Sequence, residues 1–153
     1  MITGHLRPGE PRDALRLGAI LSGFTDETDW MPRLHSRAED ISHMGGLIDR
    51  GWVTVADRGD GPFGFLACDH KTIHALYVDP EQRGQGAGKA LLDHAKESAS
   101  LLELWTFQAN TGAQRFYERE GFSEAERTDG ATNDEKLPDI RYVWQRPNGG
   151  VND

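Results

Sequence analysis

The run Arg83-Gly84-Gln85-Gly86-Ala87-Gly88-Lys89 constrains this chain more than any other stretch. It follows the strand-like "TIHALYVD" and leads into "GKALLDHAKESAS", whose Leu91, Leu92, Ala95 and Ala99 recur at helical spacing. The next apolar run, "LLELWTFQA", reads as a strand. A helix that joins two strands of one sheet makes them parallel. A helix start also exposes unpaired N–H groups and the positive end of the helix dipole. Stripping side chains from that place lets an anion reach the backbone, as in a phosphate cradle. This is not a Walker A loop, because Ala90 follows Lys89 where Ser or Thr would hold magnesium. Gly84-x-Gly86 could open a dinucleotide fingerprint, yet Lys89 stands where the third glycine belongs. A plain tight loop needing glycine for positive φ is the competing reading.

The flanking sequence predicts a mixed α+β fold. "PRDALRLGAILSGF" places Leu15, Leu17, Ile20, Leu21 and Phe24 at roughly helical spacing, and "AEDISHMGGLIDRG" does so with Ile41, Met44, Leu47 and Ile48 before stopping at Gly51. "WVTVAD", "GPFGFLACD" and "TIHALYVD" read as three strands joined by short turns, hence antiparallel. "TGAQRFYERE" is a helix that buries Ala113 and Phe116, with Tyr117 as a further candidate and a Thr111–Gln114 capping box at its start. "GFSEAERT" and "IRYVWQR" close the sheet around the polar loop "DGATNDEKLPD". A first strand is expected near Ile2 to Leu6. Residues 1–147 form one expected domain, and 148–153 an expected frayed tail.

Composition excludes several classes of function. With 153 residues and a net charge of −8, one soluble domain is expected, without the clustered cations that nonspecific nucleic-acid binding needs. No apolar run is long enough to span a membrane, and "MITGHLRPGE" lacks a signal peptide's apolar stretch. Cys68 is the sole cysteine, so a reducing, cytoplasmic setting fits and a small buried hydrophobe is its expected role. His5, His35, His43, His70, His74 and His94 show no metal-ligand spacing with it, so no metal is expected.

Arg83, Gly86 and Gly88 match a known signature: Arg or Gln, two residues, Gly, one residue, then Gly or Ala. A second block, "NTGAQRFYEREGF" from Asn110 to Phe122, follows in the expected order. With the strand "LYVDP" before them, these blocks resemble the GNAT superfamily of N-acetyltransferases. The resemblance implies a GNAT-like mixed, mostly antiparallel sheet with a splayed parallel strand pair and about four flanking helices. It also implies acetyl-CoA as cosubstrate and a primary amine as acceptor, attacked directly in a ternary complex. A noncatalytic acyl-CoA-binding or regulatory protein on the same fold is the alternative. Oligomeric state is not legible, and a homodimer is the default expectation.

The resemblance also implies roles. Amides from Gly84, Gln85, Gly86, Ala87, Gly88 and Lys89 would wrap the pyrophosphate, with Arg83 also at the cofactor. The backbone of Leu76, Tyr77 and Val78 would pair with pantetheine, one N–H facing the acetyl oxygen, and Asn110 would bond the pantetheine arm. Tyr117 would protonate the leaving thiolate. A glutamate that serves as base in some members is replaced here by Trp105. His74 and Glu103 are candidates for that task, and a water relay is another. On the acceptor side, Trp30, Met31, His35, Asp134, Glu135 and Asp139 are offered by two polar segments, whose acids suit a cationic amine.

Overall fold

The computed structural model describes residues 5–147. The elements run β1 (His5–Pro8), α1 (Ala14–Glu27), α2 (Arg37–Asp49), β2 (Val53–Asp57), β3 (Pro62–Asp69), β4 (Thr72–Val78), α3 (Ala87–Glu97), β5 (Leu101–Phe107), α4 (Thr111–Arg119), β6 (Ser123–Thr128) and β7 (Asp139–Gln145). The first strand thus runs to Pro8, past the expected end at Leu6. Residues 2–4 of that expectation, and the expected tail 148–153, lie outside the described residues.

One seven-stranded sheet has the order β1-β2-β3-β4-β5-β7-β6. Every neighbouring pair is antiparallel except β4 and β5. That parallel pair is registered only at Thr72↔Glu103, with Glu103 N–H donating to the Lys71 carbonyl at 2.8 Å. Beyond this point the two strands part, and the sheet opens as a V.

Helices cover both faces. On one, α3 and α4 bury Leu91, Leu92, Leu102, Leu104 and Tyr142. On the other, α1 and α2 bury Leu17, Met44, Leu47, Val55 and Phe65. Strand β3 is enclosed on both sides, which explains its unbroken apolar run "PFGFLA". Leu91 and Leu92 are fully buried, each removing a side chain worth about 1.5–3 kcal/mol from water. Helix α2 begins with the reciprocal box that its sequence encodes. Ser36 Oγ accepts from Glu39 N–H at 3.1 Å, and Glu39 Oε1 accepts from Ser36 N–H at 2.8 Å.

Four local expectations are corrected. Leu15 is 68% exposed, because a proline-led 3₁₀ turn at Pro11–Asp13 takes up the first part of the predicted helix and Leu17 and Ile20 set its inner face. Cys68 is only half-buried, although burial still pushes its thiol up to about 11. In α4 the buried side chain is Tyr117, while Ala113 and Phe116 are only part-buried. The cap of α4 is Asn110, not Thr111: Asn110 Oδ1 accepts from Ala113 N–H at 3.0 Å. Gln114 turns back instead, donating to the carbonyls of Phe107, Gln108 and Asn110.

Helices α1 and α2 meet most closely at Gly18. A Cβ there would lie 2.5 Å from Ile41 Cγ1 and 2.7 Å from its Cα. Backbone cannot yield as a flexible side chain can. Gly18→Val is expected to destabilise the fold by about 1–3 kcal/mol, read as a lowered denaturant midpoint at unchanged slope. An unchanged midpoint would mean that the helix pair is looser than this contact requires.

Candidate active site

Among the described residues, the β4 edge that faces the V has no strand partner beyond Thr72. Asp79 N–H donates to the Phe63 carbonyl at 2.8 Å, and the register pairs Tyr77 with Phe65 and Val78 with Gly64. Antiparallel ladders alternate hydrogen-bonded and non-bonded pairs. Tyr77 therefore directs its backbone groups toward β3, and Leu76 and Val78 direct theirs into the V. Arg83 Nε donates to the Val78 carbonyl at 3.2 Å, from the cleft side. Of the three backbones expected to pair with pantetheine, two face the opening. Tyr77 contributes its side chain instead.

The turn after β4 is built by local chemistry. Asp79 Oδ1 accepts from Glu81 N–H at 3.1 Å and Pro80 starts a 3₁₀ turn, while Arg16 ties Asp79 to α1 at 2.7 Å. Gly84 and Gly86 then take φ of +80° and +86°, a region closed to most side chains. Gly86 is the N-cap of α3 and offers no side chain to it. Ala90 N–H closes the first helical bond onto the Gly86 carbonyl at 3.0 Å, which leaves the amides of Ala87, Gly88 and Lys89 without helical partners. A Cβ on Gly84 or Gly86 would meet nothing within 4 Å, so the space over these amides is open. A diphosphate fits such a cradle.

A cleft of about 550 Å³ joins these parts. Its walls include Leu76, Tyr77, Val78, Arg83, Gly84, Gly86, Ala87, Gly88, Lys89, Asn110 and Tyr117. Of the residues expected at the site, Gln85 and His74 stand apart from it. Gln85 Oε1 accepts from Arg58 at 2.7 Å. His74 is exposed, stacks on Trp52 at 5.0 Å, and sits where the β3–β4 register slips. It lines a smaller cavity of about 100 Å³ together with Tyr117, Asn110 and Trp105. The Lys89 ammonium is held by Glu120 at 3.0 Å and Asp93 at 3.3 Å, so this residue offers the cleft its amide more than its charge.

Tyr117 is 8% exposed, with its ring against Phe116, Phe122 and Tyr142. Among the described residues its hydroxyl makes no hydrogen bond to protein. Burial raises the phenol above its ordinary range, so it stays protonated at neutral pH.

Aromatic side chains bridge the V on the α1 face. Phe107 contacts Trp30 at 5.8 Å, Trp30 contacts Phe24 at 6.3 Å, and Phe24 contacts Tyr77 at 5.1 Å. Sequence reasoning assigned Trp30 to the acceptor side, and its position in this bridge depends on a β5 contact that no local pattern carries. Behind the bridge lies a second cavity of about 470 Å³, lined by Met31, His35 and Glu135 and by Glu39, Asp40 and His43. Asp139 lies elsewhere: buried, it accepts from Thr128 and from Asn133 Nδ2, and so orders the β6–β7 loop. Glu103 is engaged by Arg141 at 3.3 Å and Thr72 at 3.4 Å.

The sheet splays at its one parallel pair, and the N-terminus of α3 opens at the mouth of the V. The family model for the acetyltransferase (GNAT) domain matches residues 49–124, and the chain belongs to the GNAT family. Over 78 residues it is 40% identical to the peptidyl-lysine N-acetyltransferase YjaB of Salmonella typhimurium, covering 51% of this chain and 53% of that protein. The match thus spans about half the length of that curated relative (53%). The solution structure of apo YjaB from Escherichia coli superposes with a TM-score of 0.77 at 25% identity, over 94% of this chain and 98% of that one. YncA of Salmonella typhimurium, solved with acetyl-CoA, superposes with a TM-score of 0.74 at 15% identity, over 94% of each chain.

Proposed function

We propose that the chain is an N-acetyltransferase that moves an acetyl group from acetyl-CoA to a primary amine by direct attack in a ternary complex. The observation that carries this reading is convergence. The partnerless amides of α3, the open edge of β4 and the buried Tyr117 hydroxyl lie on one cleft. The amides of Ala87, Gly88 and Lys89 and the glycine turn bind the pyrophosphate. Leu76 and Val78 pair with the pantetheine amides, for which Arg83 releases the Val78 carbonyl. The Asn110 amide nitrogen, opposite the oxygen that caps α4, donates to the same arm.

The chemistry conserves protons. The neutral amine attacks the thioester carbonyl, a C–N bond forms and the C–S bond breaks. The proton shed by nitrogen balances the one taken by the thiolate, giving an amide and free thiol. A β4 edge N–H faces the developing oxyanion, and Tyr117 supplies the thiolate's proton. An alkylammonium has a pKa near ~10.4, so its deprotonation costs free energy at neutral pH. His74, on the wall of the smaller cavity, and a water relay to solvent are the two candidates for that task; Glu103 is engaged in its ion pair.

Among the described residues no group of three His, Cys, Asp or Glu is arranged around a metal position. The test is release of free thiol from acetyl-CoA across a panel of amines, run with and without chelator. Amine-dependent release that persists in chelator is the expected result. Tight acetyl-CoA binding without release on any amine would instead identify a noncatalytic acyl-CoA-binding protein. Loss in chelator, restored by one divalent ion, would overturn the metal-free reading.

A further inference from the structure

The second cavity adjoins the cofactor cleft, and Phe24 and Tyr77 line both. Its carboxylates, Glu39, Asp40 and Glu135, lie only on the far side of that pair, and no lysine or arginine lines it. The three acids are not equivalent. Glu39 is spent on the α2 cap, and Asp40 accepts from Ser22 Oγ and lies 3.8 Å from Arg33. Among the described residues Glu135 has neither a hydrogen bond nor an ion pair. Apolar side chains, Leu21 and Met31 among them, complete the walls.

Tyr77 marks the junction. Among the described residues its hydroxyl has no hydrogen-bond partner. Burial, with Glu135 and then Asp40 adding to it, pushes the phenol up to about 12, so it remains a donor at neutral pH. Two cavities that meet at a part-buried phenol, with no hydrogen-bond partner among the described residues, suit a ligand that passes between them.

The placement of charge selects the kind of amine. A carboxylate beside an ammonium stabilises the charged form and raises its pKa. The attacking nitrogen must be neutral, so acids serving that nitrogen would oppose the reaction. Acids set back from the cofactor cleft do not, provided they hold a different charge.

Resting on the acetyltransferase reading, we infer that the acceptor carries two cationic nitrogens on an aliphatic chain, one held as ammonium by Glu135 with Asp40 behind it, the other delivered past Tyr77 as the neutral nucleophile. The bond changes are those of the parent reaction; the second ammonium keeps its proton throughout. An acceptor with a carboxylate at that end is repelled.

The experiment compares 1,4-diaminobutane, n-butylamine and 4-aminobutanoate, with a lysine-containing peptide as a further arm, on the wild-type protein and Glu135→Gln. Wild type should prefer the diamine over butylamine by about tenfold or more in kcat/KM, as a charge-assisted contact allows. Glu135→Gln should remove that preference through KM, with kcat for the diamine and the rate on butylamine little changed. Calorimetry of 1,4-diaminobutane binding to both proteins, with CoA present, reads the cavity without turnover. Equal use of diamine and butylamine by wild type, a preference that survives Glu135→Gln, or a peptide that outpaces both amines would each overturn the assignment and leave the transferase reading standing. Diamine binding lost in Glu135→Gln, with no thiol release on any amine, would support the cavity and sink the transferase reading instead.

Discussion

Tyr117→Phe is expected to lower kcat by ~10²–10⁴-fold, the usual worth of a positioned general acid. Acetyl-CoA affinity should stay near that of the wild type. The substitution is sharp because the ring is what holds this residue in place. Its contacts with Phe116 at 5.1 Å, Phe122 at 5.5 Å and Tyr142 at 6.4 Å all survive in phenylalanine. Among the described residues the hydroxyl bonds to no protein group, so deleting it orphans no partner and the fold should be kept. The pH dependence has a definite sign. The active form is the protonated phenol, and burial raises its pKa. Activity due to Tyr117 is therefore present through neutral pH and lost only as pH climbs past an ordinary tyrosine's range. That alkaline limb should vanish in Tyr117→Phe. Wild-type kcat in the variant, measured by single-turnover kinetics where chemistry limits the rate, would transfer the acid's role to solvent.

The sequence made the cofactor side of the site legible because its physics is local. A glycine turn, a helix start and the strand before it occupy consecutive residues, and φ of +80° and +86° at Gly84 and Gly86 are what glycine in such a turn is for. The crossover rule then yields the parallel β4–β5 pair from chain order alone. What stayed illegible depends on contacts far apart in sequence. Which β4 backbones face the V is set by register with β3, which shifts at His74 before Tyr77 and Val78 pair with Phe65 and Gly64. The aromatic bridge needs Trp30 and Phe107 to meet. The difference between Glu135, unpaired among the described residues, and Asp139, consumed by Thr128 and Asn133, is invisible in "NDEKLPD", where both read as polar loop. The cap of α4 went to Asn110 rather than Thr111: Asn110 Oδ1 takes the Ala113 N–H, and Gln114 is spent on the carbonyls of the preceding turn.

Gly86→Val should weaken acetyl-CoA binding by well over tenfold while the protein remains folded. Two effects act together. Valine is β-branched and disfavours the left-handed region, at a cost of roughly 1–2 kcal/mol, so the turn relaxes away from φ of +86° and the α3 amides lose their common direction. The added side chain also occupies the open space over those amides, where a Cβ would meet no protein atom within 4 Å but would meet a bound diphosphate. The same openness is why the fold should survive, since no core contact is violated. Gly51→Val separates the two effects. Gly51 has φ of +78° and an equally open surrounding, but it follows α2 and does not line the cleft. It carries the backbone strain without the blockage, and should lose stability with little loss of affinity. Calorimetric titration of acetyl-CoA into both variants, with circular dichroism to verify folding, gives the answer. A folded Gly86→Val protein that binds as the wild type does would remove the glycine turn from the site, because no diphosphate held against the backbone could tolerate a valine there.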